Sequence, residues 1–204
     1  MPAMLLSLLS GAVVAATPTI PQPWFDFAED YPMKAFERKW EGVTQFQLLV
    51  APDGSVADCS VLKSSGHEIL DTQACFLAQK RITFRPAKGS GGQSVWGLYR
   101  TEAKWALPEH QLSGTAAPDL EVTVNKLPNG AKMPPAVKLA YAVDVQGQVS
   151  QCTMMPSSLQ QPQVLVELGC KQLLSRENGK PVLGPSGQPV PAVRTGAVLF
   201  TAGS

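Results

Sequence analysis

The sequence predicts an α+β fold made of two tandem modules, each with one helix packed on a three-stranded antiparallel sheet. A Val-x-x-Cys frame just after a glycine turn occurs twice, ending at Cys59 and at Cys152. Each frame is followed by a second cysteine on a helix-like stretch, Cys75 in the first case and Cys170 in the second. Around both pairs, the periodicity runs in the same order: strand, turn, strand, helix, strand. A helix covering one face of an antiparallel sheet is the expected product.

Composition supports a folded protein and excludes two classes of partner. The chain has 204 residues, of which 44% are hydrophobic and 16% are charged, which suffices for two small domains with cores. Its net charge is +1. Because no basic field is available to hold phosphates, we expect neither nucleic-acid binding nor electrostatic binding to an anionic membrane.

The N-terminus has the pattern of a secretory signal peptide. Residues 4–16 form a mostly apolar run that ends in Val14-Ala15-Ala16, and a proline-rich strip follows. A bilayer span needs about 20 apolar residues, so this run is too short to cross. We predict a signal peptide over residues 1–16, cleaved near Ala16. No Lys or Arg precedes the run, which leaves an uncleaved anchor extended upstream as the alternative.

An exported protein with an even number of cysteines is expected to form disulfides. Four cysteines allow three pairings, and the repeat favours Cys59–Cys75 and Cys152–Cys170. Each disulfide would stabilise its module by about 3 kcal/mol through loop closure in the unfolded chain. The alternatives are four buried thiols or a zinc ion held by all four cysteines. Because no Cys-x-x-Cys spacing occurs, we predict no metal and no cofactor.

The first module is predicted over residues 24–107. Its elements are a short helix, a strand, a turn, a return strand, a helix and a last strand, at residues 31–40, 43–50, 52–54, 55–63, 68–80 and 93–105. In the return strand the alternation slips by one residue near Ala57-Asp58, which indicates a β-bulge. The last strand has apolar side chains on both faces. It is either a strand with one face available to a partner or a simple edge strand.

A polar stretch with Pro, Gly and Ser predicts a linker over residues 108–118. The second module follows over residues 119–204. Its elements are a strand, a return strand, a helix, a loop and a last strand, at residues 137–145, 149–155, 162–174, 178–191 and 192–202.

The first module resembles the C-terminal domain of the TonB energy-transducer family over residues 31–87. The matching residues are Tyr31-Pro32, Ala35, Gly42-Val43, Phe46, Val50, Asp53-Gly54-Ser55-Val56, Val61, Ser64-Ser65-Gly66, Leu70-Asp71, Ala74 and Phe84-Arg85-Pro86-Ala87. Their order and spacing agree over about sixty residues. The second module resembles the family only through the repeated layout and the cysteine frame, so we interpret it as a degenerate copy.

The resemblance implies a protein of the periplasm that binds an extended segment of an outer-membrane transporter, or another envelope protein. In the family, such a segment adds as a strand to the last strand of the sheet, which implies that residues 93–105 receive it and that the stretch before Tyr31 makes a second contact. The implied partner-binding residues are Gln93, Val95, Trp96, Leu98, Tyr99 and Arg100. Edge strands of this kind also permit homo-oligomers.

The chain differs from the family's complete transducers. It has neither an apolar run long enough for a transmembrane helix nor a long Pro/Lys- and Pro/Glu-rich spacer before Tyr31. We therefore expect a periplasmic binding module in TonB-linked transport. The alternatives are association with the inner membrane through an uncleaved N-terminus, and a structural or assembly module of the cell envelope without energy transduction.

An enzyme is not expected. The two histidines, His67 and His110, lie in predicted loops, and Ser64-Ser65 beside Gly66 is typical of a helix cap. Trp96, Tyr99 and Trp105 could form an aromatic ligand platform, but packing is the commoner role of such residues.

Overall fold

A computed structural model of the chain describes residues 11–19, 26–110, 112, 117–156 and 158–203. The strands are β1 (Thr17–Pro18), β2 (Gly42–Val50), β3 (Val56–Lys63), β4 (Phe84–Arg85), β5 (Ala87–Lys88), β6 (Ser94–Trp105), β7 (Leu120–Val124), β8 (Ala136–Val143), β9 (Val149–Met154), β10 (Val182–Leu183), β11 (Pro189–Val190) and β12 (Ala192–Ala202). The helices are α1 (Phe27–Asp30), α2 (Met33–Glu37), α3 (Glu68–Arg81) and α4 (Gln163–Glu177).

A single sheet runs through both halves of the molecule. Its main path has the strand order β3-β2-β6-β12-β8-β9, with β5 paired to β6 and β7 paired to β12. We call β2, β3, α3 and β6 the first unit, and β8, β9, α4 and β12 the second unit. Within each unit the neighbouring strands are antiparallel, and the units meet where β6 and β12 pair in parallel.

The turn and the register of the β2–β3 hairpin in the first unit follow from its sequence. At the turn between β2 and β3, Gly54 has a φ of +90°, which is accessible to glycine at little cost. Asp53 supports the same turn, since its Oδ1 accepts hydrogen bonds from the N–H and hydroxyl of Ser55 at 2.9 and 2.7 Å. The register then shifts where Leu49 lies opposite Asp58 and Val50 opposite Val56, as the predicted bulge requires.

Both predicted disulfide pairings are present. Cys59 on β3 joins Cys75 on α3, with 5.6 Å between their Cα atoms, and Cys152 on β9 joins Cys170 on α4, with 5.7 Å. Each disulfide therefore ties the outermost strand of a unit to the helix that covers it. No free cysteine remains.

The two helices lie on opposite faces of the sheet. Side chains alternate between faces along a strand. On β6, Val95 and Tyr99 belong to the core beneath α3, while Trp96 and Leu98 pack against the core beneath α4. The face of the first unit that turns away from α3 is thus covered in part by the second unit, and the junction strand β6 is packed on both faces.

The predicted α+β class is confirmed, and the predicted main strands and long helices match the structure to within three residues at each end. The sequence did not predict the parallel pairing of β6 with β12, and it did not predict several short elements. These are α1, β1, β4, β5, β7 and the β10–β11 hairpin. The short helix expected over residues 31–40 is limited to Met33–Glu37. Residues 111 and 113–116 of the predicted linker lie outside the described residues.

The N-terminal segment is packed against the first unit. Strand β1 pairs with β4, Val14 bridges to Lys88, and Val13, Ala15 and Ala16 are buried. Residues 1–10 of the predicted signal peptide lie outside the described residues. Cleavage near Ala16 stays a prediction, and it would remove buried side chains from the first core.

Candidate partner-binding edge of the sheet

Strand β6 has one fully paired side and one side that is paired only at its start. On the first side, β2 runs antiparallel to it from Gly42, opposite Trp105, to Val50, opposite Gly97. Strand β5 pairs with the first two residues of β6, and on the second side of β6 strand β12 pairs with the next two. Within the described ranges, no strand pairs with the second side of residues 98–104. We call this stretch the open edge, because no described strand pairs with its outward backbone groups.

Gln93 and Val95, the first two predicted binding residues, lie in the hairpin before the open edge. The carbonyl of Gln93 accepts a hydrogen bond from the N–H of Gly89 at 3.0 Å and closes the loop. Val95 lies opposite Ala87 of β5, and its side chain is buried in the first core. Gln93 is exposed. These two residues shape the loop that leads into β6.

Trp96, Leu98 and Tyr99 hold β6 between the two cores. Trp96 and Leu98 pack against the second core. Tyr99 packs on the first, where its ring meets Phe84 edge-on with 5.0 Å between the ring centroids. Burial raises the pKa of Tyr99 above its ordinary value, because the phenolate would lose its hydration. The aromatic side chains at this strand therefore serve packing, and a partner would find the backbone of the edge rather than an aromatic platform.

Arg100 is an exposed cation of the open edge, and it connects the two units. Its Nε donates a hydrogen bond to Oε1 of Gln47 at 3.2 Å, and its guanidinium forms an ion pair with Asp119. Asp119 in turn pairs with Ala197 of β12, accepting its N–H on Oδ2 at 2.7 Å and donating to its carbonyl at 2.9 Å. Sequence reasoning missed Asp119, because a charge at the end of a linker carries no local pattern.

A buried carboxylate organises the loop beside the far end of β6. Asp71 of α3 accepts hydrogen bonds from the hydroxyls of Thr44 and Ser64 at 2.8 and 2.5 Å, and from the N–H of Ser65 at 2.9 Å. Thr44 also accepts a hydrogen bond from Nε1 of Trp105 at 3.2 Å. Burial opposes ionisation of Asp71, but these donors prevail and lower its pKa. The motif residues Ser64-Ser65 therefore have a structural role.

The described part of the stretch before Tyr31 is held against α3. The carboxylate of Asp30, which is only 4% exposed, pairs with the guanidinium of Arg81 at 2.5 and 2.8 Å. Burial opposes ionisation of Asp30, but the hydrogen bond from Arg81 favours the carboxylate, and the pKa of Asp30 is lowered overall. The Tyr31 ring meets Trp105 edge-on at 5.6 Å. This segment borders the end of the open edge, where the predicted second contact would lie.

The described residues contain no group of three or more His, Cys, Asp and Glu side chains placed to hold a metal ion. His67 stacks on Trp40 with 4.7 Å between the ring centroids, and Nδ1 of His110 lies 2.7 Å from a carboxylate oxygen of Glu41. No helix in the described ranges has the length and apolar character to cross a membrane.

Comparison with known proteins places the first unit in a family. Residues 28–107 match the family model described as Gram-negative bacterial TonB protein C-terminal. Protein tonB2 of Pseudomonas aeruginosa is 43% identical over 70 residues, which cover 34% of this chain and 26% of that protein. The matched segment therefore spans about a quarter of the relative's length. No solved structure is significantly similar to the chain. Residues 28–107 thus belong to the family of TonB C-terminal domains.

Proposed function

We propose that this protein is a TonB-like binding module of the periplasm that takes up an extended segment of an outer-membrane transporter in TonB-linked transport. The observation that carries the proposal is the open edge of residues 98–104, which lies on the last strand of a TonB C-terminal domain. In strand addition, backbone hydrogen bonds supply affinity, and the side chains beside the added strand supply selectivity. The role is one of binding and not of catalysis.

The side chains along the open edge support a polar partner segment. Arg100 and Lys104 are 44% and 43% exposed, so their charges remain in solvent. Between them, Glu102 pairs with Lys104 through Oε1 at 3.2 Å. Its Oε2 is buried and has no hydrogen-bond partner among the described residues. A donor on the incoming segment would satisfy this oxygen, and the cations would favour an acidic side chain on the segment.

The test is a titration of the full chain, labelled with ¹⁵N, with a synthetic peptide from the periplasm-facing N-terminal segment of an outer-membrane transporter. We expect the backbone amides of residues 98–104 to shift. Strand β3, at the outer end of the sheet, is the internal control, and its amide resonances should not shift. A scrambled peptide controls for non-specific binding. If no transporter peptide shifts the amides of residues 98–104, the proposed function is wrong.

A second candidate is a structural or assembly module of the cell envelope without energy transduction. The pairing of β6 with β12 favours it, because the two units already use part of their edges on each other. Under this alternative, copies of the chain would associate through β3 or β9, the strands at the two ends of the main sheet. Analytical ultracentrifugation separates the two candidates, since a monomer that binds transporter peptide excludes assembly through edges.

We also propose that the second unit is a degenerate copy of the first. The turn glycines Gly54 and Gly147 both have positive φ, and in each unit the strand cysteine follows five residues later. Nine residues after the helix cysteine, Phe84 and Gly179 donate their N–H groups to the carbonyls of these glycines at 2.9 and 2.8 Å. The same contacts at the same spacing support a duplication even where the side chains differ.

A further inference from the structure

The chain contains three asparagines, and two of them are followed by glycine, at Asn129-Gly130 and at Asn178-Gly179. In such a pair, the backbone nitrogen of the glycine can attack the side-chain amide of the asparagine, because glycine has no Cβ to hinder the approach. The reaction is spontaneous in water. Its rate in a folded protein depends on whether the two reacting groups are free to meet.

The two sites have nearly the same local backbone and the same exposure. Gly130 has a φ of +83° and Gly179 has a φ of +82°. Both asparagines are exposed, and both pairs lie in turns, the first between β7 and β8 and the second directly after α4. Exposure and turn shape therefore do not distinguish the two sites.

The folded structure holds both reacting groups of the second site. The N–H of Gly179 donates to the carbonyl of Gly147 at 2.8 Å, which is the contact to a turn glycine that recurs in both units. The side chain is held as well, because Oδ1 of Asn178 accepts the N–H of Val149 at 3.3 Å. Both hydrogen bonds must open before the nitrogen of Gly179 can reach the side-chain amide.

The first site has neither of these hydrogen bonds. Its turn is closed one residue later, where the N–H of Ala131 donates to the carbonyl of Pro128 at 3.2 Å. Among the described residues, neither the side chain of Asn129 nor the N–H of Gly130 has a hydrogen-bond partner. A Cβ built on Gly130 would meet no atom within 4 Å, so space around the glycine is open. Nothing in the described structure has to move away before the two groups meet.

We propose that Asn129 is a site of spontaneous deamidation in the folded protein and that the structure protects Asn178. The nitrogen of Gly130 forms a bond to Cγ of Asn129 while the bond from Cγ to Nδ2 breaks. The amide group leaves as ammonia and carries away the proton of the Gly130 N–H. Water then opens the cyclic imide, giving aspartate by attack at Cγ and isoaspartate by attack at the main-chain carbonyl. Water is the only co-reactant, and no group is oxidised or reduced.

The product differs from the native loop in charge and in backbone length. A carboxylate replaces a neutral amide, so the formal net charge falls by one, from +1 to 0. In the isoaspartate form, the backbone gains one carbon between Leu127 and Ala131, which both pack against the second core. The reaction involves neither the open edge nor a partner, so the proposal does not depend on the function proposed above.

The full native chain is aged at mildly alkaline pH, digested at acidic pH to stop the reaction, and analysed by mass spectrometry. Replacement of the amide by a carboxyl group raises the mass of the peptide, and fragmentation distinguishes isoaspartate from aspartate. We expect Asn129 to react about tenfold faster than Asn178 or more, because two hydrogen bonds must open at Asn178. Equal rates at the two sites, or an unreacted Asn129 after a time in which the unfolded chain reacts fully, would overturn the proposal.

The same measurement in urea separates the effect of the fold from that of the neighbouring residues. In the unfolded chain, each asparagine still precedes a glycine, but the hydrogen bonds of Gly179 and Asn178 are absent. The two rates should therefore become similar. A difference that stays the same in urea would mean that neighbouring residues set the rates, and it would contradict protection by the folded second unit.

Two variants assign the reaction to one residue. Asn129→Gln lengthens the side chain by one methylene, so that attack would have to close a six-membered ring, which is slow. We expect the acidic band that the aged native chain gives on isoelectric focusing to be lost in this variant. Asn178→Gln is the matched control and should keep the band. A band that persists unchanged in Asn129→Gln, or that is lost in Asn178→Gln, would contradict the assignment to Asn129.

Discussion

The last strands of the two units, β6 and β12, are equivalent in position and differ in what lies beside them. Strand β12 is paired with β8 on one side, and with β6 and then β7 on the other. Strand β6 is paired with β2 on one side, but on the other side its pairing stops at Gly97. The side of β12 that corresponds to the open edge is thus paired within the chain at residues 192–193 and 198–202, whereas no described strand pairs with residues 98–104 of β6 on that side. Under the duplication proposed above, the second unit supplies a neighbour for the start of β6 and leaves the rest of that edge unpaired.

The helices show a second difference. Four residues before the helix cysteine, the first unit has Asp71 and the second unit has Val166. Asp71 is buried with three hydrogen-bond donors around it, whereas Val166 is buried in the apolar core. The first unit therefore keeps a polar network that fixes its loop, and the second relies on packing at the same place.

The largest expected effect comes from removing one disulfide at a time. Replacing Cys59 and Cys75 together by Ser should lower the free energy of unfolding by about 3 kcal/mol, because the loop between them is no longer closed in the unfolded chain. Replacing Cys152 and Cys170 is the matched change in the second unit. Denaturant unfolding, read by hydrogen exchange in each unit, measures both.

We expect each double variant to weaken its own unit more than the other. The other unit should also lose some stability, because β6 and β12 pair in one sheet. Equal loss in both units from either variant would contradict the view of two units that fold with separate cores.

Asp71→Asn should cost about 2 kcal/mol of stability, since hydrogen bonds to a buried charge are replaced by weaker ones. The pKa of Asp71 is lowered in the folded state. Its contribution is thus complete above the unfolded pKa of about 4 and is lost as the pH falls through the folded value. In acid, the native first unit should lose more stability than the variant does. Urea unfolding between pH 6 and pH 3 tests this prediction. If the free energy of unfolding falls with pH by the same amount in the native protein and in Asp71→Asn, the prediction is wrong.

Gly97→Ala should have a smaller effect, about 1 kcal/mol, through crowding against Ala16. The variant should also release the N-terminal segment, which raises the exchange rate of the Lys88 amide. The equivalent position in the second unit is already alanine, Ala192, which lies opposite Val143 as Gly97 lies opposite Val50. Ala192→Gly is therefore the control, and it should leave the Lys88 amide unchanged. Unchanged protection of Lys88 in Gly97→Ala would contradict the close approach.

The smallest effect is expected for Arg100→Ala. The pair of Arg100 with Asp119 is partly exposed, and such pairs contribute about 0.5 kcal/mol. Thermal unfolding at low and high salt should show a small difference that disappears with salt. A loss larger than about 1 kcal/mol would mean that this pair, rather than the strand pairing, holds the units together.

The sequence predicted what depends on short-range patterns. Alternation and helical periodicity identified the main strands and both long helices, and turn glycines such as Gly54 located the hairpin. The cysteine frames led to the correct disulfide pairing. The pairing of Trp96 with Ala192 could not be predicted, because parallel pairs between distant strands have no local signal. The nearest clue was the apolar character of Trp96 and Leu98 on the second face of β6. From the sequence we expect that face to be available to a partner, or the strand to be a simple edge strand, whereas the second core packs against it. The strand formed by the N-terminal segment was missed for a related reason, since its small apolar residues also fit a signal peptide.

The most direct test of the account compares hydrogen exchange along β6 and β12 in the free native chain. Strand β12 is paired with β8 through residues 192–199 and, on its other side, with β6 at residues 192–193 and with β7 at residues 198–202, so the amides of these paired stretches should be protected. In residues 98–104 of β6, the amides that point to the open edge should exchange at least tenfold faster. Addition of a transporter peptide should remove the difference. Equal protection of the two strands in the free chain, unchanged by the peptide, would contradict the claim that the first unit presents an open edge to a partner.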